Sequence, residues 1–471
     1  MDDCSTVSKW AALTTEQRCR RVAKVATTIT EAAEELVSLC QSEQRVDPAD
    51  TLGAELVPFC AALKFLGQRG PRILRPRHHG VSGRPLWMWG IQSTVHRVPL
   101  GTVLVLGTWN YPLLLVGTQA AQALAAGNQV IIKPAIGSEQ VTARMVQAFH
   151  DAGVPETALR QIDSSTESAI AAIDQGVDLI VLTGAAATGR KVLTQAAQSL
   201  TPTIMELSGC DAVILLPDAD LDSAAEAIRF GINVNSGATC IGPRRLLVSN
   251  AMADSLTEAL HVRLANVEPM VVHPSARKAV ADTLDQALKQ GATDRFNVVD
   301  TELIRNTGQM SPVVLDNVQP DHEVASADLF APITSIIRVD QVDQAVKIVN
   351  ECPYRLGASV FGPPKLAQMV AARLQTGGVV VNDLIMPTAD PRLPFGGRGQ
   401  SGFGVTRGEE GLLAMTTPKV VSRRRGRHAL HLAPRREEDT EALYALLQIL
   451  HAGSLSRRLG GVKRLIGSRK R

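Results

Sequence analysis

Hydrophobic and polar positions change their spacing along the chain. Residues 7–66 contain little Gly or Pro and are predicted to form helices. The stretch 67–85 concentrates turn formers and basic residues, which is typical of a linker or a crossing segment. From residue 101 onward, short β-branched runs alternate with alanine-rich segments of helical length. This alternation predicts parallel sheets with right-handed crossover helices.

The alternating region contains two series, which predict two sheets with separate cores. The first series predicts strands at 101–107, 129–134 and 177–184 and helices at 113–126, 138–152 and 189–200. The second series predicts strands at 211–217, 245–249, 311–316, 358–362 and 377–383, with helices at 221–233, 251–264, 341–351 and 364–375.

The composition is typical of a protein in a reducing compartment. A chain of 471 residues suits two or three domains. The seven cysteines are scattered, without the spacing of a disulfide framework or a zinc site. The N-terminus MDDCSTVSKW lacks the apolar core of a secretory signal, and no apolar run is long enough to predict a membrane span. We therefore expect a cytoplasmic protein without a metal site.

The net charge of +3 hides a basic tail, because residues 423–471 hold 13 Lys or Arg and four Asp or Glu. Such a tail favours nucleic acid or anionic lipid as a partner. Tyr444 is the only aromatic residue there, so base stacking is disfavoured and we expect no nucleic acid partner.

A short amphipathic helix is predicted within this tail. Thr440 is a candidate cap, and the apolar positions that follow at helical spacing are Leu443, Leu446, Leu447 and Leu450. The apolar stretch is too short to cross a bilayer. The helix either packs on its own subunit or a dimer partner, or lies on an anionic membrane surface.

Two strand-to-helix junctions are candidate ligand sites. VLTGAAATGRKV (181–192) places Gly184 and Gly189 where backbone amides could receive a pyrophosphate, although a plain structural turn is an equal alternative. GTWNYP (107–112) could point the Asn110 amide into the crevice at the strand ends.

Cys240 and Glu206 are candidate catalytic groups, each with a structural alternative. Cys240 in NSGATC is either a nucleophile or a small buried side chain, and the residues alone favour the second. Glu206 in MELSG lies among apolar neighbours, where a raised pKa would suit a general base, but a salt-bridged structural Glu is the commoner case.

Six motifs occur in one order and spacing: GTWNYP, IIKP, LTGxxxxGR, MELSG, NSGATC and LPFGGxGxSGFG. Together they resemble the aldehyde dehydrogenase superfamily, most closely its class 3 or fatty-aldehyde branch, over about residues 10–422. The resemblance implies an α/β fold with a Rossmann-like cofactor domain, an α/β catalytic domain and a small oligomerisation arm. It also implies NAD- or NADP-dependent oxidation of an aldehyde to a carboxylic acid.

The resemblance implies roles for the matching residues. Cys240 matches the nucleophile, Asn110 with the Cys240 backbone N–H matches the oxyanion hole, and Glu206 matches the base that activates water on the thioester. The residues implied to bind the cofactor are Lys133, Gly184, Gly189, Trp109, Asp328, Phe330 and Phe395. Tyr111 and Phe230 match walls of a substrate tunnel, and an apolar tunnel favours aliphatic or aromatic aldehydes; both could equally be plain core aromatics.

Several positions depart from the family pattern. Ile136 replaces a glutamate that can hold the ribose hydroxyls, so NADP should be tolerated beside NAD. Asp328 replaces a longer glutamate and Ala331 a glycine; Ser208 and Cys210 replace a glycine and a lysine. These changes leave open a second interpretation, a catalytically impaired binding or scaffold protein of the same fold.

Neighbouring charged and histidine residues are predicted to be outside the chemistry. Arg244 and Arg245 follow the nucleophile, but their strand should carry the side chains away to a surface salt bridge. No histidine lies in a matched motif, and His273 and His322 are predicted to be surface residues.

The predicted domains combine these assignments. Residues 1–205 form the N-terminal helices and cofactor domain with an arm segment at 85–97, and 206–393 form the catalytic domain. Residues 394–422 return to the cofactor domain and the arm, and 423–471 form the basic extension. Strand addition across the arm would make a homodimer.

Overall fold

The computed structural model describes residues 9–85, 88–425, 432 and 434–468. The chain divides into two units, one of residues 1–77 and 95–420 and the other of residues 78–94 and 421–471. Helices and strands are numbered along the chain. The first unit begins with the predicted N-terminal helices, α1 (Thr15–Glu31), α2 (Ala33–Cys40), α3 (Pro48–Thr51) and α4 (Val57–Ile73). Thr14 and Gln17 form a capping box that starts α1.

The first sheet of this unit is six-stranded in the described chain. Its strands are β3 (Thr102–Leu106), β4 (Gln129–Lys133), β5 (Leu159–Gln161), β6 (Leu179–Gly184), β7 (Thr203–Leu207) and β19 (Gly402–Phe403). The order is β19-β7-β6-β3-β4-β5, and β19 alone is antiparallel to its neighbour. The connecting helices are α5 (Leu114–Ala126), α6 (Glu139–Asp151), α7 (Thr166–Asp174) and α8 (Ala186–Ser199).

The second sheet is seven-stranded. Its strands are β8 (Asp211–Leu215), β9 (Pro243–Ser249), β11 (Thr293–Asp294), β13 (Val313–Asp316), β14 (Ile333–Val339), β16 (Gly357–Phe361) and β17 (Gly378–Val381). The order is β11-β13-β14-β9-β8-β16-β17, with β11 antiparallel to β13. Its helices are α9 (Leu221–Asn233), α10 (Asn250–Leu264), α11 (Pro274–Lys289), α12 (Thr301–Thr307), α13 (Val342–Glu351) and α14 (Pro364–Ala371).

Successive residues along a strand belong to different buried clusters, one on each face of the sheet. In β3, Val103 and Val105 belong to one cluster and Leu104 and Leu106 to another. The second sheet behaves in the same way with its own two clusters. Both sheets are therefore covered on both faces, as parallel sheets require. The predicted parallel sheets with separate cores are confirmed.

Several short elements lie outside the two large sheets. They are β10 (Met270–Val271) paired with β12 (Gln309–Met310), β15 (Tyr354–Arg355) paired with β18 (Arg398–Gly399), and α15 (Gly408–Ala414). The sequence did not predict β14 or α11. The predicted domain boundary between residues 205 and 206 falls inside β7, so Glu206 belongs by its strand to the six-stranded sheet.

The second unit contains part of a three-stranded sheet and two C-terminal helices. The sheet order is β1 (Arg77–His79), β2 (Ile91–Pro99) and β20 (Thr416–Arg424). The helices are α16 (Glu437–His451) and α17 (Leu455–Ser468). The predicted cap Thr440 is wrong, because α16 begins at Glu437 and Thr440 lies inside it. Among the described residues, no helix is both long and apolar enough to cross a membrane.

Candidate active site

Three predicted site residues lie at the carboxyl ends of strands in the six-stranded sheet. Asn110 follows β3, Gly184 ends β6, and Glu206 precedes the last residue of β7. Because parallel neighbours end at the same edge, the backbone brings these residues to one crevice. Cys240 reaches this region from the other sheet, on the loop between α9 and β9.

The Glu206 carboxylate is buried and held by neutral donors. Its side chain is 4% exposed. Oε1 accepts a hydrogen bond from the Thr406 hydroxyl, and Oε2 accepts from Gln119 Nε2 at 3.0 Å and Thr183 Oγ1 at 3.4 Å. Burial raises the pKa of Glu206, while the Arg407 charge and the three hydrogen bonds act in the opposite direction. A carboxyl group whose pKa is raised by burial is suited to accept and release a proton during a reaction.

Cys240 lies on a loop with unusual backbone geometry. Asn235 and Ser236 both adopt left-handed conformations, with φ of 53° and 51°. Gly209 lies so close that an added Cβ would be 2.7 Å from the Cys240 carbonyl oxygen, which explains glycine at that position. The Cys240 side chain is partly exposed, yet burial, followed by the nearby Asp211, raises its thiol pKa to about 12. Burial and the negative charge of Asp211 thus both disfavour the thiolate form of Cys240.

Asn110 is oriented by several hydrogen bonds. Its Oδ1 accepts from Thr108 Oγ1 at 2.7 Å, and its Nδ2 donates to the Ala238 carbonyl at 2.9 Å. An amide nitrogen has two N–H bonds, so one remains for a substrate oxygen. The backbone carbonyl oxygen of Asn110 accepts hydrogen bonds from Asn235 Nδ2 at 2.9 Å and from Arg45.

A buried ion pair of Arg45 and Glu55 contacts Asn110 and the loop that carries Cys240. The two side chains are 6% and 0% exposed and contact each other directly. Arg45 Nε also donates to Asn235 Oδ1 at 2.9 Å, and Glu55 Oε2 accepts the N–H groups of Leu113 and Leu114 at 2.6 and 3.0 Å. The pair thus ties the start of α5 to the loop that carries Cys240.

The β6–α8 junction fits a dinucleotide phosphate. Ala185, the N-cap of α8, makes no side-chain cap, so the amides of the first turn remain available to an anion. An added Cβ on Gly189 would lie 2.9 Å from Leu207 Cδ1, so glycine lets α8 pack closely on β7. Lys133 ends β4 and is partly buried, and Ile136 beyond it is 75% exposed.

The other residues predicted to bind the cofactor are Trp109, Asp328, Phe330 and Phe395. The Trp109 ring lies 5.8 Å from the Phe330 ring, measured between centroids. Two residues that depart from the family pattern, Ser208 and Asp328, contact each other: burial raises the pKa of Asp328 and the Ser208 hydroxyl lowers it. Phe395 pairs with Thr406 through backbone hydrogen bonds of 2.8 and 2.9 Å.

The two predicted tunnel residues differ in their surroundings. Tyr111 is buried in the core cluster of the first sheet, and its hydroxyl is 2.6 Å from Thr239 Oγ1. Phe230 is 42% exposed. A cavity of about 320 Å³ lies beside the loop that carries Cys240, and its lining includes Asp211 together with Ile241, Leu356, Val379 and Phe395, but neither Tyr111 nor Phe230.

The prediction that Arg244, Arg245 and His322 lie at the protein surface is wrong, because all three are buried. Arg244 donates to the carbonyl oxygens of Gly237 at 2.5 Å and Ala331 at 2.6 Å. Its guanidinium therefore contacts the backbone of the loop that carries Cys240. Arg245 donates to the Cys210 carbonyl at 3.0 Å. His273 is partly buried and stacks on Trp109 with 4.1 Å between ring centroids.

Sequence reasoning missed Gln119, Thr406 and Arg407. A signal for Gln119 was present, since Gln119 and Gln122 are large polar residues in a helix that is mostly apolar and is buried along its whole length. Thr406 and Arg407 lie just beyond the last motif and carry no local signal. Within the part of the chain that the structure describes, no group of three or more His, Cys, Asp or Glu could hold a metal ion.

Comparison with known proteins identifies the family. The family described as "Aldehyde dehydrogenase family" matches residues 4–421. The chain therefore belongs to the aldehyde dehydrogenase family, and the resemblance and the fold class predicted from the sequence are confirmed.

Individual relatives span most of the chain. Succinate-semialdehyde dehydrogenase (NADP(+)) of Deinococcus radiodurans is 32% identical over 432 residues, 88% of this chain and 87% of the relative. The 4,4'-diapolycopene aldehyde oxidase of Methylomonas sp is 30% identical over 87% of this chain and 78% of the relative. The crystal structure of NADP-dependent glyceraldehyde-3-phosphate dehydrogenase from Bacillus halodurans C-125 complexed with NADP superposes with a TM-score of 0.80 at 27% identity, covering 88% of each chain. The named aldehydes differ widely, so the comparisons do not select a substrate.

Proposed function

We propose that the protein oxidises an apolar aliphatic or aromatic aldehyde to the carboxylic acid, with NAD or NADP as the electron acceptor. The observation that carries this proposal is the convergence of Cys240, Glu206 and Asn110, contributed by two sheets, on one crevice. Each of the three is the residue type that its step requires.

Cys240 supplies the nucleophile in the first step. Its thiolate sulfur attacks the aldehyde carbon to form a thiohemiacetal, and negative charge develops on the former carbonyl oxygen. The free N–H of the Asn110 side chain and the Cys240 backbone N–H stabilise that oxygen. The Thr108 and Ala238 contacts keep the Asn110 amide in place before the substrate arrives.

Glu206 supplies the base in the last step. Its carboxylate takes a proton from a water molecule, which then attacks the thioester carbon and releases the acid and the Cys240 thiolate. The raised pKa of Glu206 brings its proton affinity closer to that of the reacting water. Because this base is present, transfer of the acyl group to coenzyme A is the less favoured reaction.

The chain offers a matching cofactor site. The first turn of α8, with Gly184 and Gly189, would hold the pyrophosphate, Lys133 the adenine ribose, and Trp109, Asp328, Phe330 and Phe395 the nicotinamide side. A bound NAD or NADP supplies the hydride acceptor of the reaction. With the exposed Ile136 in place of a carboxylate beside Lys133, a 2′-phosphate meets no repulsion there, which supports use of NADP.

Turnover of the full chain with an aldehyde panel tests the proposal. NADH or NADPH formation is followed for wild type, Cys240→Ala and Cys60→Ala, the last a partly buried cysteine outside the site. We expect turnover in wild type and Cys60→Ala and none in Cys240→Ala, with medium-chain or aromatic aldehydes preferred, as an apolar tunnel of the kind that the family resemblance implies would favour. Absence of turnover with every aldehyde, in a folded protein, would favour the scaffold interpretation. Turnover with NAD and none with NADP would contradict the cofactor prediction.

For the second unit we propose peripheral contact with an anionic membrane. Four apolar side chains on α17 recur on one face, and each is at least 40% exposed: Leu455, Leu459, Val462 and Ile466. Leu443 and Leu447 of α16 are also exposed, whereas Leu446 and Leu450 are partly buried. The exposed basic residues Arg457, Arg458 and Lys463 flank the stripe. Basic and apolar groups on one short helix suit a negatively charged lipid surface.

Vesicle sedimentation at low salt tests the membrane contact. We expect binding to vesicles that contain phosphatidylserine, loss of binding with Leu459→Glu, and unchanged binding with Met369→Glu, an exposed apolar residue of α14. Equal behaviour of both variants, or no binding by wild type, would favour a helix that packs against a dimer partner. Strand addition by the arm to form that homodimer remains part of the proposal.

A further inference from the structure

Arg407 is a buried cation in the wall of the candidate site. It precedes α15, and its side chain is 8% exposed. The guanidinium carbon lies 4.2 Å from the centre of the Phe395 ring, and Nη1 donates to the Thr388 carbonyl at 2.8 Å. The aromatic face and the carbonyl together hold the positive charge in a defined place.

The backbone of Arg407 has a conformation that favours glycine. Its φ is 59° and its ψ is 171°. Gln122 Oε1 accepts the Arg407 N–H at 3.0 Å, and the Gly411 N–H donates to the Arg407 carbonyl at 2.8 Å, so both ends of the residue are fixed. A residue with a Cβ is costly in this region, and such outliers concentrate at functional sites. A glycine would fit at lower cost, which indicates that the arginine side chain is needed.

Within the described part of the chain, Arg407 forms no salt bridge with an acidic side chain. Among the described residues, no carboxylate oxygen lies within 4.0 Å of its guanidinium. Burial lowers the pKa of Arg407, while Glu206 and Cys240 act in the opposite direction. A buried charge without a partner is unfavourable, so this cation depends on negative charge that the site itself develops.

The charges around Cys240 are otherwise mostly negative. Asp211, Glu206 and Asp328 all act to raise the pKa of the thiol, and Arg407 opposes them. Two further groups lie within electrostatic range but are engaged elsewhere: Arg244 bonds to carbonyls under the loop, and Tyr111 bonds to Thr239.

We propose that Arg407 is a positioning residue of this site, and that its charge balances the Cys240 thiolate and the Glu206 carboxylate. Thr406, its neighbour, bonds Glu206 directly, so one short segment provides both a hydrogen bond and a charge to the catalytic pair. The effect on turnover rests on the proposed aldehyde oxidation, but the effect on the thiol does not. The thiol can therefore be measured by itself.

The rate of Cys240 alkylation against pH tests the proposal. Full-length wild type, Arg407→Met, Arg407→Lys and the exposed control Arg392→Gln react with neutral iodoacetamide, and mass spectrometry follows the peptide that contains Cys240. Below the thiol pKa, a rise of one unit lowers the thiolate fraction and the rate about tenfold. We expect a loss of about tenfold in Arg407→Met, recovery of most of it in Arg407→Lys, and a wild-type rate in Arg392→Gln.

A second reagent separates charge from packing. The ratio of the iodoacetate rate to the iodoacetamide rate should be higher in wild type and Arg407→Lys than in Arg407→Met, because loss of the cation leaves the negative charges near Cys240 to repel the negatively charged reagent. If Arg407→Met does not fold, Arg407→Gln replaces it, because glutamine can still donate to the Thr388 carbonyl. An unchanged profile in a folded neutral variant, or equal losses in the neutral and lysine variants, would overturn the inference. An Arg407-dependent profile without turnover on any aldehyde would instead overturn only the proposed function.

Discussion

Glu55 and Glu206 are both buried glutamates near the same crevice, but their partners differ. Glu55 is 0% exposed and contacts the Arg45 guanidinium directly, with two backbone N–H groups on its other oxygen. Glu206 is 4% exposed and accepts hydrogen bonds from Thr406, Gln119 and Thr183, none of which is charged.

This difference suits Glu55 to a structural role and Glu206 to its proposed role as a base. The contact with Arg45 and the two backbone hydrogen bonds fix the position of the Glu55 carboxylate, so the pair can connect α5 to the loop that carries Cys240. Neutral donors orient Glu206 but leave its pKa raised by burial. A base must change its protonation state during each cycle, which a tight ion pair would oppose.

The largest effect is expected from Glu55→Gln. The free energy of unfolding should fall by about 3–5 kcal/mol, because the Arg45 charge remains buried without its carboxylate. Urea unfolding measures this change. Glu35→Gln is the matched control, since its pair with Arg144 leaves Glu35 58% exposed, and a change there should stay within about 1 kcal/mol. A similar result for both variants would mean that the buried pair is not structural.

Glu206→Gln should affect activity more than stability, the reverse of Glu55→Gln. Turnover should fall about a hundredfold or more, with little loss of stability. The pKa of Glu206 is higher in the folded state than in the unfolded chain, so the folded state binds the proton more tightly. Wild-type stability should therefore decline as pH rises from the ordinary glutamate range to the raised pKa, and the glutamine variant should lack this decline. Steady-state rates and urea unfolding at several pH values test both points; a fully active variant would exclude Glu206 as the base.

The smallest effect is expected from Thr406→Val, which removes one hydrogen bond from Glu206. Since that bond lowers the pKa of Glu206, its loss should raise the pKa and move the acidic limb of the kcat/KM profile to higher pH. At the acidic end the rate should fall by roughly threefold to tenfold, the value of one hydrogen bond. Thr30→Val, an exposed threonine of α1, is the control. A uniform decrease at all pH values would indicate a packing defect instead.

Local patterns predicted much of the fold. Both sheets and most of their helices followed from β-branched runs that alternate with alanine-rich segments, because burial on both faces requires continuous apolar strands. The same reasoning missed β14, in which Thr334, Ser335 and Arg338 interrupt the apolar run. Thr334 donates to the Pro243 carbonyl at 2.6 Å and Arg338 contacts Asp316, so tertiary partners stabilise polar residues that the sequence alone disfavours in a buried strand.

The sequence by itself determined the family and the α/β class and proposed Cys240, Glu206 and Asn110 as site residues, because these residues lie in short motifs whose order can be read from the sequence alone. Only the tertiary structure decided the surroundings of these residues. The neighbouring sequence does not distinguish Arg407 from the exposed Arg392 and Arg398. It also does not indicate that Arg45 pairs with Glu55 beside the loop that carries Cys240. The physical reason is that desolvation and Coulomb energy depend on burial and on distance in space, which residues far apart in the chain acquire only when it folds.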